Sequence, residues 1–214
     1  MGLRAHIILI GEKTVGYMGD VKSKIFIDDN ATSNTYVAAA ARPTSTFTLA
    51  NSSFGTNTAR KITATTLGDE SSITVTIVGT DEKGDAATEV ITLPGSASTT
   101  SGTTTAFLTI TSATVSAQPA ANVSLGMTAD VFGSIFQGRT RVRQANVGSG
   151  GAIGSVQVRD ASVTGTSLLT LRTQGTAGDI STVNIPQDGV VFKNGAYITF
   201  SEADCNSVTV YYDG

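Results

Sequence analysis

The chain has 214 residues, 40% of them hydrophobic and only 14% charged, and its formal net charge is -3. A single Cys, a single His and no Trp exclude a disulfide framework, a Cys-based zinc site and a His cluster. The mildly acidic balance excludes a surface given over to nucleic acid.

The 34 Thr, 21 Ser and 23 Gly make an all-β composition, because Thr favours strands and Gly favours turns. At the start, the apolar run His6-Ile10 is too short for a signal-peptide core. No stretch approaches the ~20 apolar residues of a spanning helix, and His6 breaks the myristoylation pattern after Gly2. The chain is therefore expected to be made in a cytoplasm. His6-Ile10 and Lys24-Ile27 read as strands. Thr35-Arg42 reads as two helical turns stopped by Pro43. Residues 1–45 are expected to form an extended N-terminal arm.

From residue 46 the pattern is regular. Lys61-Thr66, Ile73-Val78 and Thr88-Leu93 alternate apolar and polar residues, with Ile73, Val75 and Ile77 on one face. Turns at 67–72 and 79–85 separate them. The Ser/Thr-rich stretch 96–105 reads as an exposed loop. Phe107-Thr114 and Val123-Thr128 complete an antiparallel β-sandwich over 46–135. Residues 136–154 read as a basic and Gly-rich connector, with Gly148-Gly151 as a flexible joint. A second β module covers 155–214, with strands at 155–159, 168–172, 180–185, 190–192, 196–200 and 207–212. Within it Asn194-Gly195 signals a hairpin.

Chemistry-bearing groups are sparse. Arg139, Arg141 and Arg143 alternate, so on a strand all three guanidiniums share one face at ~6.6 Å spacing. Such a stripe could hold phosphate or the carboxylates of a partner; the bland alternative is a solvated edge strand kept from mispairing, and nucleic acid is the third reading, without the interleaved aromatics that single-strand binding would want. Asp81, Glu82 and Asp85 share a turn, but the EF-hand spacing is missing, so an acidic hairpin tip is the better reading. Gly148-Gly154 lacks the endings of phosphate-binding loops. Cys205 and His6 have no local support as a catalytic pair and Cys205 reads as a buried thiol. No cofactor, metal site, small-molecule substrate, membrane or nucleic-acid contact, and no enzyme activity, is expected. A sugar-binding module would use Tyr197, Tyr211 or Tyr212 as platforms, and packing explains those residues better.

The run Lys61-Ile62-Thr63, Ile73-Thr74-Val75-Thr76-Ile77, Gly79-Thr80-Asp81, Gly84-Asp85, Thr88-Glu89 and Ile91-Thr92 resembles a β-sandwich segment of tailed-bacteriophage virion proteins, marine and cyanophage ones in particular. Phe107-Ala113 continues the resemblance, and Ile185-Phe192 with Asn194-Tyr197 resembles a second β module of such proteins. The resemblance implies a structural virion role and carries over no catalytic residue. It implies a capsid decoration or cement protein that binds the major capsid protein or other virion proteins, as a trimer or dimer. The arm, through Ile8 and Ile10, would add a strand to a partner's sheet edge, and Arg139, Arg141 and Arg143 would meet partner carboxylates. A tail, neck or fibre component is the second expectation. A cell-surface adhesion or carbohydrate-binding module is the third.

Overall fold

The computed structural model describes residues 21–28, 30–185 and 188–214. In chain order the strands are β1 (Lys22–Ile27), β2 (Ala38–Ala41), β3 (Ala59–Thr66), β4 (Thr74–Asp81), β5 (Ala86–Thr92), β6 (Thr100–Val115), β7 (Val123–Phe136), β8 (Thr140–Ser149), β9 (Ser155–Asp160), β10 (Ser167–Arg172), β11 (Ile180–Asn184), β12 (Val190–Phe192), β13 (Ala196–Ser201) and β14 (Cys205–Asp213). Among the described residues there is no helix, and every strand pairing is antiparallel. The fold is all-β, as the composition indicates.

The strands make two sheets. One runs β1-β14-β8-β11, with β12 also on β8; the other runs β10-β9-β13-β7-β3-β6-β4-β5, with β2 on β7. Period-two alternation produces the inward faces: Ile73, Val75 and Ile77 are buried, while Thr74 and Thr76 stay half-exposed. Among the described residues two large apolar cores result, with a small third cluster of Ala59, Ala106 and Phe132. The first gathers Phe54, Ile62, Val75, Ile77, Phe107, Ile110, Leu125 and their neighbours. The second gathers Phe26, Val142, Val147, Val158, Phe192, Ile198, Val208 and Val210 between the two sheets.

β7 belongs to both cores. Val123, Leu125 and Met127 enter the first, Val131 and Ile135 the second, and Ala129 and Asp130 lie exposed between them. β6 makes the corner of the first core. Its first half pairs with β3 and its second half with β4, so one strand serves both layers. The switch is a bulge: Lys61 pairs with Ala106 and Thr63 with Gly102, leaving Thr103–Thr105 opposite Ile62 alone. Ile62 N donates to Thr103 Oγ1 (2.9 Å), and the Glu89 carboxylate accepts from the amides of Thr104 (2.7 Å) and Thr105 (2.8 Å).

Several expectations are corrected by the pairing. Ala38–Ala41 is a strand, not a helical turn: Val37 N donates to Leu125 O (2.9 Å) and β2 joins β7, so tertiary pairing overrides alanine's helix preference. Thr100–Thr105 belongs to β6 rather than to a loop, because a Thr-rich run is a good strand once a partner lies beside it. Residues 22–28 and 30–45 are part of the body, not of an arm: Phe26 is fully buried and rests against Gly133, where a Cβ would come within 2.4 Å of its ring. Residues 136–154 are not a connector. β8 occupies most of that stretch, and Gly148 pairs with both Ile180 and Ser207; a Cβ there would lie 2.4 Å from Ser207 Oγ. Gly148 thus serves close approach rather than flexibility. Asn194-Gly195 closes no hairpin: β12 pairs with β8 and β13 with β7 and β9, so this turn carries the chain from one sheet to the other.

Candidate functional site

Arg141 and Arg143 lie in β8, and Arg139 immediately precedes it. β8 is an interior strand, paired with β14 on one side and with β11 and β12 on the other, so the edge-strand explanation for the stripe fails. Opposite Arg143 the register slips: Tyr211 pairs with Gln144 and Tyr212 with Val142. That bulge leaves Arg143 outside the β14 ladder, on the half-exposed side.

The arginines are partly engaged. Arg143 Nε donates to Asp213 Oδ2 (2.6 Å), and its Nη2 is also 2.6 Å from that oxygen. Arg141 Nη1 stands 3.6 Å from Asp188 Oδ2. Arg139 is exposed and forms no ion pair among the described residues. At the same end, Lys22 Nζ donates to Gly214 O (2.9 Å), and Thr140 Oγ1 donates to Asp213 O. The first described strand, the C-terminus and the arginines therefore form one basic face at the far end of the second core. Ion pairs this exposed contribute ~0–1 kcal/mol, so Asp188 and Asp213 hold the guanidiniums in place yet are easily exchanged for a partner's carboxylates.

A second constellation sits at the waist between the cores. Arg60 is fully buried, its Nη2 2.6 Å from Asp28 Oδ2 and 3.0 Å from Glu202 Oε2, and its Nη1 donates to Thr128 O (2.6 Å). Nη2 also donates to Asn30 O (3.2 Å), and Glu202 Oε1 accepts from Thr32 N (3.0 Å). One guanidinium serves two carboxylates. Burial pushes the Asp28 carboxyl up, only partly countered by Arg60. Burial also pushes on Glu202, but the bonds from Thr32 and Arg60 outweigh it and hold Glu202 below its ordinary value. The cluster ties the residue after β1, β3, mid-β7 and the β13–β14 turn into one knot. Sequence reading missed it. The legible signal was parity, for Arg60 shares its face of β3 with the buried Ile62 and Ala64.

The remaining candidates resolve simply. Asp81 Oδ1 accepts from the amides of Lys83 (2.9 Å) and Asp85 (3.0 Å), so this carboxylate caps its own hairpin. Among the described residues no group of three His, Cys, Asp or Glu is arranged to hold a metal. Cys205 is buried in the second core, and burial pushes its thiol up to about 12, which makes it an inert packing group. Of the three tyrosines considered as sugar platforms, Tyr197 and Tyr212 are buried and Tyr211 is half-exposed. Ile8, Ile10 and His6 lie outside the described residues. No family model matches the chain, and comparison with curated proteins finds no match.

Proposed function

We propose that this chain is a non-enzymatic structural protein of a tailed-phage particle, of the decoration or cement type, which binds the capsid surface and stabilises it. The observation that carries the reading is the basic face: Arg139, Arg141 and Arg143 gather with the C-terminus and the start of β1 at one end of a two-core body. A cement protein bridges lattice subunits, so it needs a stiff body with its attachment groups collected on one face. The strand shared by both cores and the buried Arg60 knot supply stiffness, since packed interiors transmit strain rather than absorb it. The resemblance of the Ile73-Thr92 region and of Ile185-Tyr197 to phage virion proteins supports the same reading. The expected partners are the major capsid protein and further copies of the chain.

Reversing two charges tests this. Arg141→Glu with Arg143→Glu should weaken binding to capsids lacking the protein by at least ~10-fold, as expected for a charge-assisted contact. The free protein should stay folded with its thermal midpoint lowered only slightly, because the ion pairs lost to Asp188 and Asp213 are half-exposed and contribute ~0–1 kcal/mol each. Undiminished binding by the folded double variant would remove this face from the contact.

A further inference from the structure

The sheet β1-β14-β8-β11 has an outer face made of alternate residues held in register. Phe26, Ala145, Val147, Val208 and Val210 enter the second core. Alternation therefore turns Ile25, Thr209, Asn146 and Thr182 outward, as one row across the four strands. Ser23, Tyr211, Gln144 and Asn184 form the next row, and Asp213 with Arg141 the row after that. None of these outward side chains joins an apolar cluster among the described residues.

The face still differs from an ordinary wet surface. Ile25 and Ile180, on its two border strands, are 42% and 73% exposed, and Tyr211 stands half-exposed between them. The charges are confined to one end, where Arg141, Arg143 and Asp213 lie. The lysines of β1 alternate to the other side, Lys22 lying over the Phe136 ring and Lys24 over the Phe26 ring.

We propose that this whole outer face, and not the arginine end alone, is the docking surface. Its partner is a protein face with carboxylates at one end and uncharged, partly apolar residues over the rest. Composition argues for a protein. Tyr, Arg and exposed aliphatic residues, without Lys or Glu, are what the buried centre of a protein interface contains. Nucleic acid would need cations spread along the face to track its phosphates, and a small molecule would need a concave site. Charge fixes the orientation. Three arginines share two carboxylates, Asp188 and Asp213, and Arg139 has no ion pair among the described residues. That end is net positive and takes carboxylates, whereas the row from Ile25 to Thr182 carries no charge to desolvate when covered. The inference rests on the decoration reading, which makes the partner the major capsid protein, and it extends the contact from the arginines across all four strands.

The test measures binding of the full chain to capsids lacking it. Tyr211→Ala should weaken binding at least ~10-fold, as truncation of a central aromatic anchor does. Ile25→Lys with Ile180→Lys should weaken it by a similar factor. Both isoleucines are exposed, so this pair decides the matter if Tyr211→Ala does not fold. Val90→Lys, also exposed but on a border strand of the other sheet, should change nothing, and an equal loss with it would overturn the proposal. If Arg141→Glu with Arg143→Glu weakens binding while the tyrosine and isoleucine variants do not, the contact ends at the arginines. This inference then falls and the decoration reading stands. Failure of the wild type to bind would remove the decoration reading and this inference with it. If the isoleucine pair leaves capsid binding intact but lowers the solution mass from a multiple of 21.9 kDa to a single chain, the face belongs to a second copy and the proposal is overturned.

Discussion

The residue with the largest individual consequence is Arg60. Removing its charge strands two carboxylates, one of them, Asp28, with a side chain only 1% exposed. Breaking a buried pair in this way costs about 3–5 kcal/mol, far more than the pair's net contribution relative to an apolar replacement. Arg60→Met should therefore lower the stability measured by denaturant titration by about that amount. Adding Asp28→Leu should recover part of the loss, because the stranded charge leaves with it. If Arg60→Met is neutral, the knot is not structural. Arg60 also marks the limit of sequence reading at this scale. Its register beside Ile62 and Ala64 placed it inward, but its partners lie 32 and 142 residues away in sequence, and no local pattern names them. The arginine alternation at 139–143 was legible, whereas its engagement with Asp188 and Asp213 was not, since those contacts depend on which strands flank β8.

At the scale of elements, strands with strong alternation are where the sequence placed them. The expected strand Ile73-Val78 falls on β4, which begins one residue later at Thr74, with its expected inward face, and the hairpin turn after it joins β4 to β5. The failures share one cause, pairing with distant partners. Thr100–Thr105, read as a loop, is strand because β3 lies beside it, and Asn194-Gly195 has hairpin chemistry but links two sheets. The β6 bulge carries its own prediction. Burial pushes Glu89 up, but its bonds to Thr104 and Thr105 outweigh that and hold it below its ordinary value of 4.5. The unfolded carboxyl therefore takes up protons before the folded one does. The stabilisation is present above the ordinary value and is lost as pH falls through the folded one. Glu202 acts in the same direction. Denaturation midpoints at pH 7 and pH 3.5 should show the wild type losing stability on acidification, and Glu89→Gln losing less. An equal acid slope in the variant would mean that Glu89 does not hold the bulge.

For the whole molecule, what matters is that the two β modules are not beads on a joint. The Gly-rich stretch expected to let them swing begins inside an interior strand, β8, which runs through Ser149, and the nine-stranded sheet runs from β5 to β10 without interruption. A body of this kind carries load between attachment points, which suits a protein that bridges repeated subunits and offers little to one that must close around a substrate. Fold class was legible from Thr, Gly and period-two alternation. The face proposed for attachment was legible only as candidate residues, because a face exists once distant strands have assembled it. The measurement that bears most directly on the proposed role is the number of copies of this chain in a purified virus particle, by quantitative mass spectrometry against the major capsid protein. A decoration role predicts a copy number in fixed proportion to the capsid lattice. A handful of copies, matching a ring or a spike, would move the protein to neck, tail or fibre, and absence from the particle would contradict the virion role altogether.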